Sequence, residues 1–112
     1  MANYFDALET RSVEQREAAL MAALPVQVGH AQGRSAAFAQ ILGGVDATRI
    51  TSRAALAQLP VTRKSELQGL QQASREQAAG GNVFGGFSSE GFGAAMPRVF
   101  ASPGPIYEPE GT

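Results

Sequence analysis

The sequence predicts a mainly α-helical chain with an irregular final third, and three observations carry that expectation. Apolar residues recur at helical spacing from Val13 to Leu70. Four hydroxyl residues, Ser12, Ser35, Ser52 and Thr62, stand just before such runs, where a side-chain oxygen can take a free helix N–H. From Ala78 onward the composition changes: six glycines fall between Gly80 and Gly93, and four of the six prolines lie from Pro97 to Pro109. That density breaks regular structure. The expected organisation is therefore a helical segment, 1–77, of three to four short helices, followed by a Gly/Pro-rich segment, 78–112, with one or two short strands.

The first helix is expected to start after Ser12, with Gln15 three residues on in capping-box position. Val13, Leu20, Met21, Leu24 and Val28 form its apolar stripe, and Glu14 to Glu17 its wet side. Pro25 lacks the N–H that the helix needs and crowds the preceding turn, so a kink or break is expected there. Ser35 caps a second helix reaching Leu42, with Phe38, Ile41 and Leu42 inward and Gly43-Gly44 as its stop. Ser52 caps a third, Arg53 to Gln58, with Leu56 inward, and Pro60 ends it. Thr62 is expected to cap a fourth, Arg63 to about Gln77. Leu67 and Leu70 are its only large apolar residues, so its C-terminal half should fray. Beyond it, Asn82-Val83-Phe84 and Phe87 are expected as short extended pieces, and residues 98–101 as a strand. Ser102-Pro-Gly-Pro forms a turn after it. No later segment suggests itself as that strand's partner, and an unpaired edge strand leaves its backbone unsatisfied.

The 112 residues allow one small domain. Hydrophobic residues make up 44%, but 20 of them are alanines, so a loose core and marginal stability are expected, with mobile residues after Ala78. Nine basic and ten acidic residues leave a net charge of −1, too little to hold nucleic acid or an anionic membrane. Without cysteine there is no thiolate nucleophile and no Cys-based metal site, and the single His30 excludes a multi-histidine site. No apolar run approaches the roughly 20 residues that would span a bilayer, and no secretory signal is evident, so a cytoplasmic location is expected.

A run of short motifs resembles the N-terminal segment of the phenylacetate–CoA ligase family, within the AMP-forming adenylating enzymes. Arg34-Ser35-Ala36-Ala37-Phe38 is similar to its R-S-P-F-Y step, and Gly44-Val45-Asp46 to its G-V-D-P. Leu59-Pro60-Val61-Thr62-Arg63-Lys64-Ser65-Glu66-Leu67 is similar to L-P-x-T-T-K-x-D-L. Arg98 to Gly104 occupies the place of the strand entering the phosphate loop. The order is the family's own and covers nearly the whole chain. The resemblance implies the helical layer, entry strand and phosphate-loop start of an α/β adenylating domain. The complete enzyme would use ATP, Mg and coenzyme A to convert an aryl carboxylic acid into its CoA thioester. Most of the active site has no counterpart in this chain. It is therefore expected to be inactive alone, to hold no cofactor alone, and to partner the remainder of the ligase chain or a second copy.

In the phosphate-loop-like turn, 102–109, Ser102 and Gly104 fall on the family's nucleotide-binding positions. Pro103 and Pro105 have no N–H to donate. Ile106 lacks the family's hydroxyl, Tyr107 replaces a glycine, and Glu108 stands in the place of a lysine. A carboxylate about 4 Å from a phosphate charge costs roughly 4 kcal/mol per pair at an effective dielectric near 20. No catalytic residue is assigned. His30 has no acid or nucleophile beside it in sequence, and Ser88-Ser89-Glu90 lacks a base. Lys64 matches a family lysine that the resemblance would place near the nucleotide domain, but it also suits a surface position in the first turn of the fourth helix, which is the favoured reading. Tyr107 to Glu110 could serve as an acidic recognition motif or an exposed tail. A second reading is a self-standing helical interaction module without catalysis, presenting Leu20, Leu24, Val28, Phe38 and Ile41 to a partner.

Overall fold

The computed structural model describes residues 3–77 and 82–110. It is mainly helical, with one two-stranded antiparallel sheet. The expected boundary at residues 77/78 falls at the edge of the segment 78–81, which lies outside the described residues.

Helix α1 (Val13–Arg34) begins with both halves of the capping box in place. The Gln15 N–H donates to Ser12 Oγ at 3.1 Å, and the Ser12 N–H donates to Gln15 Oε1 at 3.0 Å. The break expected at Pro25 does not occur; α1 is one element of 22 residues. Leu24 and Val28 flank the proline and pack into the same core, so burial holds both halves against a loss of about 3 kcal/mol from an interior proline. Helix α2 (Ala36–Ile41) follows without a loop, capped by Ser35, and Gly44 takes the left-handed conformation just beyond it (φ +82°). A single 3-10 turn, Ala47–Arg49, is capped by Asp46, and α3 (Arg53–Leu56) by Ser52.

These elements enclose a core of Val28, Leu42 and Ile50, with Leu24, Phe38, Ile41, Ala55 and Leu59 packed around it. Leu56, expected inward, is exposed, and Ala55 and Leu59 take the inner positions instead. The Gln32 side-chain amide donates to the carbonyls of Leu42 and Val45, tying α1 to the end of α2. Arg53 donates two hydrogen bonds to the Glu17 carboxylate, at 2.6 and 2.7 Å, joining α3 to α1. Those bonds, with the guanidinium charge, hold the Glu17 carboxyl below its ordinary value. A group with a depressed folded value stabilises above its unfolded value and loses that contribution as pH falls through the folded one. Glu17→Gln is therefore expected to flatten the acid limb of stability against pH, with a small change at pH 7 because the pair is exposed. Urea unfolding at pH 3 to 7 checks this.

Helix α4 (Lys64–Arg75) is not capped by Thr62. The helix begins one residue later than expected, and the Arg63 N–H donates instead to Glu66 Oε2 at 3.3 Å. Its C-terminal half is held by polar contacts to the following chain, where fraying was expected. Gln71 is fully buried, Ser74 Oγ donates to the Asn82 carbonyl at 2.7 Å, and the Arg75 guanidinium lies 4.9 Å from the centre of the Tyr107 ring. Residues 83–86 form a turn rather than an extended piece. Gly85 and Gly86 both have positive φ, and a Cβ on Gly86 would lie 3.2 Å from the Ala37 nitrogen. That close approach lets the Gly86 carbonyl accept from both Ser35 Oγ (2.8 Å) and the Ala37 N–H (3.0 Å). Gly86→Ala is expected to cost about 1–2 kcal/mol for the left-handed conformation, and more for the displaced contact, read as a lower urea midpoint.

The expected lone strand has a partner. Strand β1 (Val99–Ala101) pairs antiparallel with β2 (Tyr107–Pro109), in register Val99↔Pro109, Phe100↔Glu108 and Ala101↔Tyr107. What was expected to be a continuous turn over 102–109 is a short loop and a returning strand. Proline at 109 is compatible because Val99↔Pro109 is a pair without ladder bonds, so the missing N–H costs nothing there. Arg98 clamps the open end with two bonds to Glu110, at 2.8 and 2.7 Å. Within residues 82–110, the turn at 83–86 is thus bonded to α2 and the hairpin to α4. Among the described residues no helix is long and apolar enough to cross a membrane.

Candidate functional site

The hairpin loop carries the two candidate binding positions. The Ser102 N–H donates to the Ile106 carbonyl at 3.0 Å, and the Ile106 N–H donates to Ser102 Oγ at 3.3 Å. Both bonds close the loop on itself. Gly104 sits at its tip with φ +76°, a conformation that a β-carbon would oppose. Lys64, in the first turn of α4, reaches this loop and donates from Nζ to the Pro103 carbonyl at 3.0 Å. The structure thus brings Ser102, Gly104 and Lys64 together across 39 residues of sequence.

The donors left at this loop are the Gly104 N–H, the Ser102 hydroxyl proton and the remaining hydrogens of the Lys64 ammonium. That set is small. It cannot wrap a triphosphate, because Pro103 and Pro105 donate nothing, and Glu108 in β2 adds a negative charge nearby. The residues present do not fit a nucleotide unaided.

The other candidates are scattered. His30 is an exposed residue of α1, beside a shallow depression lined by Gln27, Ser35 and Ser89 with no acid among its walls. Ser88 Oγ is spent on Glu90, donating to its carbonyl and accepting from its N–H. Four of the five residues considered for a partner surface, Leu24, Val28, Phe38 and Ile41, belong to the internal core, and only Leu20 is exposed. Among the described residues no group of three or more His, Cys, Asp or Glu side chains is placed to hold a metal ion.

Sequence reasoning missed Gln71. Its amide nitrogen donates to the carbonyls of Phe84 (3.2 Å) and Tyr107 (3.0 Å), and its oxygen accepts from the Tyr107 N–H (2.9 Å). The side chain acts as a rung on the outer edge of β2 and fixes the hairpin on α4. Nothing in a Gln-Gln pair on a polar helix distinguishes it. No family model, curated protein or solved structure matches the chain.

Proposed function

We propose that the chain is the N-terminal segment of an AMP-forming acid–CoA ligase of the phenylacetate–CoA ligase type, inactive alone. One observation carries this reading. The two most informative stretches of the resemblance, Leu59 to Leu67 and Arg98 to Gly104, are far apart in sequence and meet at the Lys64–Pro103 hydrogen bond. Motifs that serve one site are expected to converge in this way. The incomplete donor set at the loop supports inactivity in isolation, and the open outer edge of β1 offers the remainder of the ligase a strand to extend. In the complete enzyme ATP, Mg, coenzyme A and an aryl carboxylic acid would be the reactants, and the setting cytoplasmic.

Two measurements test the reading. The 112-residue chain, given ATP, Mg²⁺, coenzyme A and phenylacetate, is expected to release no AMP; thioester formation would overturn the inactivity. An antibody to residues 1–77 should capture from the source cells a species several times heavier than 11.7 kDa. Recovery at 11.7 kDa alone would overturn the assignment as a segment of a ligase.

A further inference from the structure

Behind the hairpin, between α2, α4 and the turn at 83–86, lies a cavity of about 230 Å³. Phe38, Leu67, Phe84, Phe87 and Ile106 make its apolar wall. Phe38 and Phe87 meet edge to face, with ring centres 5.4 Å apart and planes at 89°, so two of its aromatic walls brace one another. An apolar cavity of about 150 Å³ suffices for benzene, so this one has room for a single ring with a short arm.

Its polar lining divides in two. Gln71 and Ser88 are among the lining residues, and their amide and hydroxyl are already bonded within the fold. Thr62 and Glu108 also border it, and among the described residues neither side chain has a hydrogen-bond or ion-pair partner. Thr62 is the residue best placed by sequence to cap α4, yet that helix takes its capping bond from Glu66, which leaves the hydroxyl available. Glu108 is the only charged residue in the lining, so the cavity joins an aromatic box to one negative charge and one hydroxyl.

We propose that this cavity binds a small arylalkylamine, with the ring among Phe38, Phe84 and Phe87 and the ammonium donating to the Glu108 carboxylate and Thr62 Oγ1. An aryl carboxylate is disfavoured by Glu108, so the site is separate from any acid-substrate site and does not depend on the ligase reading.

The test is titration of the ¹⁵N-labelled full chain with phenethylamine, against phenylacetate and butylamine, followed by amide shifts. Phenethylamine is expected to give saturable shifts at Thr62, Phe87 and Glu108. Glu108→Gln, a conservative change at an exposed position, should weaken binding about tenfold with the remaining spectrum unchanged. Phenylacetate or butylamine binding as tightly as phenethylamine, an unchanged affinity in Glu108→Gln, or no saturable shift would overturn the proposal.

Discussion

Gln71→Leu is expected to detach the hairpin from α4 and to cost about 3–5 kcal/mol. The side chain is 1% exposed and satisfies three backbone groups: the Phe84 carbonyl, the Tyr107 carbonyl and the Tyr107 N–H. Leucine nearly conserves the volume, so the loss isolates the hydrogen bonds. A buried backbone group left without a partner costs about 1–3 kcal/mol; the Tyr107 N–H and carbonyl are stranded together, while the Phe84 carbonyl keeps the Phe87 N–H. Small domains have only about 5–15 kcal/mol in total. The predicted observation is loss of amide-exchange protection across β1 and β2, with α1 and α2 still protected, because their core is built from other residues. Gln71→Glu should be worse at pH 7, since a carboxylate cannot donate to either carbonyl. Part of that loss should return on acidification, when the buried acid is neutral and can donate one bond. Equal protection in wild type and Gln71→Leu would show that packing, not the amide, holds the hairpin.

Phe84→Ala is expected to cost a comparable 3–5 kcal/mol, by a different route. The ring is 1% exposed, lies beside Phe92 with centres 5.7 Å apart, and forms one wall of the cavity behind the hairpin. Truncation merges the vacated volume with existing space, so neighbouring side chains have no nearby surface to collapse onto. Phe84→Leu should recover most of the loss, because it restores apolar volume without the ring. Thermal unfolding of the two variants separates these outcomes, and equal midpoints for alanine and leucine would contradict the packing account.

The legible part of the fold was the part decided by local chemistry. Ser12, Ser35 and Ser52 cap helices where the hydroxyl-before-apolar pattern placed them, and Gly44 closes α2. Three of the differences share one cause: each depended on a distant segment. Pro25 was expected to kink or break α1, and the break does not occur: the cost of its missing N–H is visible in sequence, whereas the core that outweighs it is not. The end of α4 was expected to fray for want of apolar residues, but its partners are polar: Gln71, Ser74 and Arg75 bond or stack on residues 82–107. β2 was overlooked because Tyr107-Glu108-Pro109 has weak strand propensity and contains a proline, harmless only in this register. At the candidate site, Ser102 and Gly104 were singled out from motif order alone. Lys64 was favoured as a surface lysine, because its contact with the loop requires α4 to lie beside the hairpin, which local sequence does not show.

The register of the hairpin also governs how the chain will behave at high concentration. Even-numbered residues of β1 bond to β2, so Val99 and Ala101 turn their N–H and C=O groups outward. Next to them Phe100 is exposed, which makes a short adhesive edge. Continued in either direction, that outward row meets Pro97 or Pro103, and neither has an N–H to offer. An incoming strand can dock over Val99 to Ala101 but finds no donor at either end to lengthen the contact. The prolines act as gatekeepers: they permit one brief pairing and stop the edge from seeding an extended cross-β stack.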